Sequence, residues 1–551
     1  MVVDSTPHRA QPFPFPGNTG ANALTSAKSA SALAIAADVE PEDHRLKLRG
    51  RDLAAAFALG MSGLAFTSLS LWARFADYIT SPLRVLQWIG LLAAGWLGAL
   101  IVAVRRRAPL WPIAASTMLG GLVFGTGGPL GGYIGTAGAL VLLAAIVVVL
   151  VLLLNRLDST LIRALVFGLS LYLVAEPIVQ FASSYEDMGQ TDLSTGNAIE
   201  LGAHPLGSDL FVIVLDGYNS ILTMKSDFPD NADDIDVFLR TRGFNVSEAA
   251  WAPATRSVVS IASLLDARSL AVDREPNPSD LRVMYEVIQG EGRLFKAFAE
   301  AGYTATYIES GWLGSVCGQD VDYCVRRPFA DEAVQELLAS SMVASWWEST
   351  AGHAFSKGAL NSLAEIKAMM SELTHNNRPD LVFSHVLLPH GPYSVDERCQ
   401  VTGEVVADPP PGSEISLDNT EPAEIGYLQH VRCVDSHIKA IAEQIGPDTA
   451  MVIVGDHGST LRGQMFDPPT TWSHDQVRER GTVFVAAKYP RGCGGADDAR
   501  SSLAAVQGMI ECLLDSDMGL DRDDKVWLYA FEGPPRCVTT TEENDVVDIA
   551  C

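Results

Sequence analysis

No cysteine occurs before Cys317. None of the eight that follow (Cys317, Cys324, Cys399, Cys433, Cys493, Cys512, Cys537 and Cys551) stands in a CxxC or Cys/His spacing. That argues against a structural zinc site of the finger or ribbon type. Charge is scarce too. Asp, Glu, Lys and Arg make up 19% of the 551 residues, against about 25% in ordinary soluble domains. The deficit excludes a purely cytosolic enzyme and a wholly disordered chain, and it puts part of the molecule in lipid. Basic residues are fewest of all, 39 against 66 acidic, for a net charge of −27. Residues 1–206 hold equal numbers of each sign, so the entire excess falls on the remainder. An acidic surface is a poor ligand for nucleic acid, because phosphate binding draws on Lys and Arg. The sequence shows no phosphate-binding P-loop, no internal repeat and no nucleic-acid module.

The apolar surplus lies between residues 53 and 182. Residues 1–50, rich in Ala, Ser, Pro and Gly, read as a disordered tail. Residues 51–184 read as a membrane domain of five helices: Leu53–Ala73, Val85–Val104, Leu110–Leu130, Tyr133–Leu154 and Leu161–Ala182. Each is near the roughly 20 residues that cross the hydrocarbon. Glycines and Pro129 make the third the weakest. Arg45, Lys47, Arg49 and Arg51 precede the first span, Arg105, Arg106 and Arg107 follow the second, and Arg156 precedes the fifth. The opposite loops offer only Arg74 and Arg84. The bias predicts a cytoplasmic N-terminus. Five spans then carry the acidic, cysteine-containing part to the periplasmic or extracellular side of a bacterial-type cytoplasmic membrane. An even cysteine count there predicts disulfides, with Cys317 and Cys324 the simplest pair. Glu176 is the one acidic residue inside a span, so an ion-coupled transporter is a weak reading.

A polar linker (185–205) leads to an external domain, 206–551. Its short apolar runs alternate with helical stretches, the pattern of an α/β fold with a mostly parallel central sheet. Predicted strands are Asp209–Leu215, Thr304–Ile308, Leu381–Leu388, Ala450–Val454 and Thr482–Ala487. Predicted helices include Asp234–Arg242, Gly292–Ala301, Phe355–Leu373, Ala423–Ile445 and Ala499–Leu514. Chemistry in such sheets collects past the carboxyl ends of the strands. Three of those ends are polar: Asp216-Gly217-Tyr218, Pro389-His390-Gly391-Pro392-Tyr393 and Asp456-His457-Gly458. Two carboxylates and imidazoles at one edge form a donor set for Zn²⁺, with Mn²⁺ as the alternative. The segment Ala252–Leu265 is a hydroxyl-rich turn entering an apolar helix. Thr255, near its start, reads on local grounds as an ordinary N-cap. The alternative is a metal-activated nucleophile at an anion-favouring helix terminus. The Asp227–Asp236 acidic stretch does not fit a calcium loop. It reads as a solvated helix start, and Trp346-Trp347 as a core or surface pair.

With these residues assembled, the chain resembles the alkaline phosphatase/sulfatase superfamily. Within it, the layout is similar to membrane-anchored phosphoethanolamine transferases and lipoteichoic acid synthases, over the whole of residues 53–551. DHG and PHGPY, in that order on strand ends, carry the resemblance. It implies a first-strand metal ligand at Asp216, a nucleophile that also meets the metal at Thr255, and a metal pair at Asp456 and His457. It implies a catalytic, substrate-contacting His390, further histidines at His385 (substrate) and His474 (catalytic), and Arg256 as a substrate contact. It also implies one or two Zn²⁺ ions, a phospholipid donor and an envelope glycan or lipid acceptor. Thr255 would take a phospho-alcohol head group and pass it on. Two departures count. Asp216 stands where the named transferases have Glu, as in hydrolytic branches, so a phosphodiesterase or phosphatase is the alternative. The sulfatase signature C/S-x-P-S-R is replaced by A-P-A-T-R-S, which removes the residue convertible to formylglycine and argues against sulfate-ester hydrolysis. A non-catalytic envelope sensor or binding module is the reading from another class.

Overall fold

The structure is a computed structural model. It describes residues 53–63 and 82–106, scattered positions from 110 to 193, and, with short gaps, 197–549. Helix α1 (Pro82–Arg105) is 24 residues long and coincides with the second expected span. Residues 53–63 are helical at the start of the first. Ala56 and Leu59 from that segment share a small apolar cluster with Trp96, Leu100, Ala114, Ala115 and Met118. Side chains of α1 are described only from residue 90 onward, and among the described residues no helix is long and apolar enough to cross a membrane. The expected tail, most of the third span, the fourth, nearly all of the fifth and much of the linker lie outside the described residues.

The remainder is an α/β domain. Strands β1 (Leu210–Asp216), β2 (Asn245–Val246), β3 (Thr304–Ile308), β4 (Tyr323–Val325), β5 (Asp380–Pro389), β6 (Ala450–Gly455) and β7 (Val485–Lys488) form one sheet. Their spatial order is β2-β7-β6-β1-β5-β3-β4. The five from β6 to β4 run parallel to their neighbours, while β7 is antiparallel to both β6 and β2. Both faces of the sheet are covered, which is why the strands read as continuous apolar runs instead of alternating ones. Along β1, Leu210, Val212 and Val214 join one core, with residues of α2 (Ser257–Asp266), α3 (Arg293–Glu300) and α7 (Ser502–Leu514). Phe211, Ile213 and Leu215 join the other, with residues of α4 (Ala344–Glu372) and α5 (Leu417–Ala442). The expected strand Thr482–Ala487 is broken in two. Thr482–Val483 pairs with Ala250–Trp251 in a separate ladder. At Phe484 the N–H turns to the Tyr218 carbonyl (3.0 Å) and the carbonyl accepts from Gly455 (2.8 Å).

Disulfides join Cys317 to Cys324, Cys399 to Cys433 and Cys493 to Cys512, and Cys537 is also disulfide-bonded. The first is the pair expected from spacing. Every described cysteine is thus oxidised, in keeping with the expected oxidising compartment.

At the amino-terminal edge of the sheet, the Asp380 N–H donates to Asp209 Oδ1 at 2.9 Å, and Asp380 Oδ2 is buried with no partner. Burial first, and then the charge of Asp209, push the Asp380 carboxyl up to about 6. Its unfolded value is near 4, so the folded chain holds this proton more tightly. The stability it contributes is full below about pH 4 and gone above about pH 6. Asp380→Asn is expected to flatten the change in thermal midpoint across that interval. Parallel midpoints for variant and parent between pH 4 and 6 would refute the assignment.

Candidate metal centre

At the carboxyl edge, adjacent strands bring the polar ends together. Register pairs Leu215 of β1 with Gly455 of β6 and Val214 with His385 of β5. Asp216 and Asp456 therefore emerge side by side, with His385 one strand over. A register shift follows Leu215, and Gly217 turns the chain at φ 76°. That conformation favours glycine, and it lets the Gly217 N–H donate to Asp456 Oδ1 at 3.1 Å. The His457 N–H donates to the same oxygen at 2.8 Å. Ser260 Oγ donates to the Asp456 carbonyl at 2.6 Å, tying α2 to the DHG turn. Arg480, itself buried, fastens the same two pieces through the Gly458 carbonyl (2.8 Å) and the Thr255 carbonyl (3.1 Å). Gly458 is obligatory for space, since a Cβ there would lie 1.8 Å from the Glu479 carbonyl oxygen.

Asp216, His385 and Asp456 each offer one ligand atom, all within 4.8 Å of one another, and all three side chains are buried. Four of their polar atoms lack a hydrogen-bond partner: Asp216 Oδ1, Asp456 Oδ2, and both ring nitrogens of His385. Buried polar atoms are ordinarily paired, so three converging orphans, one from each residue, fit a cation. His457 adds a fourth donor, with Nε2 lying 3.5 Å from Asp216 Oδ1 and 3.2 Å from Asp456 Oδ2. Its Nδ1 sits 2.9 Å from the Gly458 carbonyl. A carbonyl only accepts, so the proton belongs on Nδ1, and the Nε2 lone pair faces the carboxylate oxygens. Burial, and then Arg480, keep the His457 imidazole well below its usual value.

The two carboxylates differ. Burial pushes Asp456 up to about 7, and the charge of Asp216 adds to the effect. Burial pushes Asp216 the same way, but the imidazoles of His390, His385 and His457 outweigh it and hold the carboxyl well below the carboxylate range. Below about pH 7 and without a cation, the pair carries a single negative charge.

The remaining sequence candidates separate. The Thr255 hydroxyl is fully buried and committed at both ends: it donates to the Tyr529 carbonyl (3.0 Å) and accepts from the Tyr529 N–H (2.7 Å). It fastens the turn ahead of α2 to the segment at Tyr529, and the residue whose hydroxyl meets the cluster is Ser257. Ser257 is the first residue of α2, and its Oγ lies 2.8 Å from His457 Nε2. Arg256, the N-cap, makes no side-chain cap and pairs with Glu275. The ring centroid of His390 lies 6.1 Å from that of His457, and its N–H donates to the Asp216 carbonyl at 2.9 Å. His474 is exposed at the first position of α6 (His474–Gly481), and among the described contacts none joins it to the cluster. His385, expected as a substrate contact, sits among the metal donors, with Trp312 edge-on to its ring at 5.4 Å. The sequence alone does not single out Ser257, because its signal, a second hydroxyl two residues after the first, depends on where the helix begins.

A doubly covered sheet with carboxylates and imidazoles gathered past its carboxyl ends is an α/β domain with a candidate metal centre. Residues 220–493 match the sulfatase family model, so the chain carries a sulfatase-family domain of the alkaline phosphatase/sulfatase superfamily, with Asp216 just ahead of the matched segment. No curated protein matches the sequence. Among solved structures, the C-terminal periplasmic domain of EcEptC from Escherichia coli is 12% identical, covering 64% of this chain and 96% of its own, with a TM-score of 0.38. The integral membrane lipooligosaccharide phosphoethanolamine transferase A from Neisseria meningitidis is 12% identical, covering 84% and 95%, with a TM-score of 0.38. The phosphonate monoester hydrolase of Agrobacterium radiobacter is 12% identical, covering 62% and 86%, with a TM-score of 0.40.

Proposed function

We propose that this chain is a membrane-anchored, metal-dependent enzyme. It moves a phospho-alcohol head group, of phosphoethanolamine or phosphoglycerol type, from a phospholipid to an envelope glycan or lipid through a phospho-Ser257 intermediate. The observation that carries the reading is the Ser257 hydroxyl, 2.8 Å from His457 Nε2 beside the unpartnered carboxylate oxygens. Asp216, Asp456 and His385, with His457 alongside, would hold Zn²⁺. Such an ion, when bound, supplies the positive charge that offsets developing charge on phosphoryl oxygens. The protein does the rest. Ser257 Oγ lies against His457 Nε2 at the donor cluster, where a bound cation would favour loss of its proton to solvent, and it is placed to attack phosphorus. Main-chain N–H groups at the start of α2, free of any side-chain cap, favour the anionic group there. His390, its ring centroid 6.1 Å from that of His457, would as imidazolium protonate the departing diacylglycerol oxygen. The apolar runs between residues 53 and 182 support a membrane address, with the acidic domain on the periplasmic or extracellular side. A lipid donor makes such an anchor useful.

Every residue named also serves a phosphodiesterase or phosphatase with water as acceptor, and Asp216 in place of Glu favours that second reading. The two differ in product. Full-length protein in detergent, loaded with zinc and incubated with phosphatidylethanolamine and phosphatidylglycerol, is expected to gain a phospho-alcohol mass on the peptide containing Ser257. The adduct should persist until an acceptor is added. Free alcohol phosphate with no lasting adduct would favour the hydrolase. No bound metal and no adduct would sink both and leave the non-catalytic module.

A further inference from the structure

Helix α5 touches two of the loops that carry the metal centre, and it does so through side chains one turn apart. Tyr427 donates its hydroxyl to the Gly217 carbonyl and accepts the Asn219 N–H, both at 3.2 Å. It therefore holds the turn that follows Asp216. His430, wholly buried, handles the other loop. Its Nδ1 lies 3.3 Å from the Pro389 carbonyl, and its Nε2 lies 3.0 Å from the Ser394 N–H and 3.3 Å from the Val395 N–H. The carbonyl can only accept and the two N–H groups can only donate. These partners fix the tautomer: the proton sits on Nδ1 and the lone pair on Nε2. The residues grasped, Pro389 and Ser394, bracket His390.

We infer that His430 is a positioning residue of the site. As a neutral imidazole it clasps both ends of the segment from Pro389 to Ser394, and so it sets where His390 presents its ring to His457. A lysine, arginine or aliphatic side chain at this point could not both donate to one end and accept from the other. Tyr393 packs edge-on to the His430 ring at 5.2 Å, which limits its rotation. Burial also pushes the His430 imidazole down to about 4, so the clasp stays neutral through the physiological range. The consequence for catalysis rests on the proposed function. The consequence for the placement of His390 does not, and the two are measured separately.

The experiment uses full-length protein in detergent as wild type, His430→Leu and His430→Gln. One readout is the rate at which diethyl pyrocarbonate modifies His390, followed by mass spectrometry with the exposed His474 as internal reference. The other is zinc-dependent hydrolysis of bis(4-nitrophenyl) phosphate. In His430→Leu the His390 modification rate is expected to rise about fivefold as the loop is released, with His474 unchanged. Misplacing a reacting group by an ångström is costly, so kcat should fall about tenfold or more, with KM changing far less. His430→Gln, whose amide both donates and accepts, should restore part of each. If His430→Leu does not fold, His430→Asn takes its place, because it keeps a short side-chain amide and loses the reach to Ser394. Modification of His390 at the wild-type rate in the folded variants would overturn the inference. If His390 responds while wild type turns over no phosphodiester, the inference stands and the transfer reading falls.

Discussion

Ser257→Ala is expected to lower turnover of a phosphodiester by about 10³-fold or more while leaving zinc content and the thermal midpoint close to those of the parent. The prediction follows from position. Ser257 Oγ is the described hydroxyl within hydrogen-bond reach of His457 Nε2, and among the described contacts that is its one side-chain hydrogen bond. Thr255→Val is expected to do the reverse. It strips the partner from the Tyr529 N–H and carbonyl in a buried place, which costs about 1–3 kcal/mol of stability, and activity should fall only as folded protein is lost. Steady-state kinetics beside thermal melts, for both variants, decide the matter. Loss of turnover in Thr255→Val with an unchanged melt, together with an active Ser257→Ala, would return the nucleophile to Thr255.

The second large effect concerns the ion. Zinc is expected to raise the stability of the wild type, by about 4 kcal/mol at a thousandfold excess over its dissociation constant. That gain should vanish in Asp456→Asn. The substitution is conservative in the right way: an amide oxygen still accepts the Gly217 and His457 N–H groups, while the unpartnered Oδ2 loses its charge. The metal-free variant should be no less stable than the metal-free parent, because two carboxylates no longer share one buried place. Thermal midpoints with chelator and with graded zinc measure both arms. An equal zinc-induced rise in variant and wild type would remove Asp456 from the ligand set.

The parts of this molecule that could be read in advance are those whose cause is local. Strands β1 and β6 are covered on both faces, so each is an unbroken apolar run, and the first polar residue after each run is a carboxylate of the candidate cluster. Asp216, Asp456, His457 and His390 all follow from that single pattern. What could not be read depends on long-range partners. Thr255 looks like the better nucleophile until Tyr529, 274 residues along the chain, captures its hydroxyl. His385 lies within a strand and not at its end, so only register against β1 shows that it joins the carboxylates. His430 is a histidine in mid-helix, which in sequence looks like any buried core residue. The membrane segments rest on hydropathy and the placement of arginines.

One detail of Asp456 bears on which metals this centre can serve. Its Oδ1 is already engaged by two main-chain N–H groups, so the carboxylate has a single oxygen left to give. Calcium gathers six to eight oxygens and leans on carboxylates that bind through both, and a side chain with one oxygen spoken for short-changes it. A small ion content with four donors of mixed oxygen and nitrogen loses nothing by the arrangement. In the proposed centre the backbone of the DHG turn would thus filter ions by coordination number, through hydrogen bonds that never touch the ion.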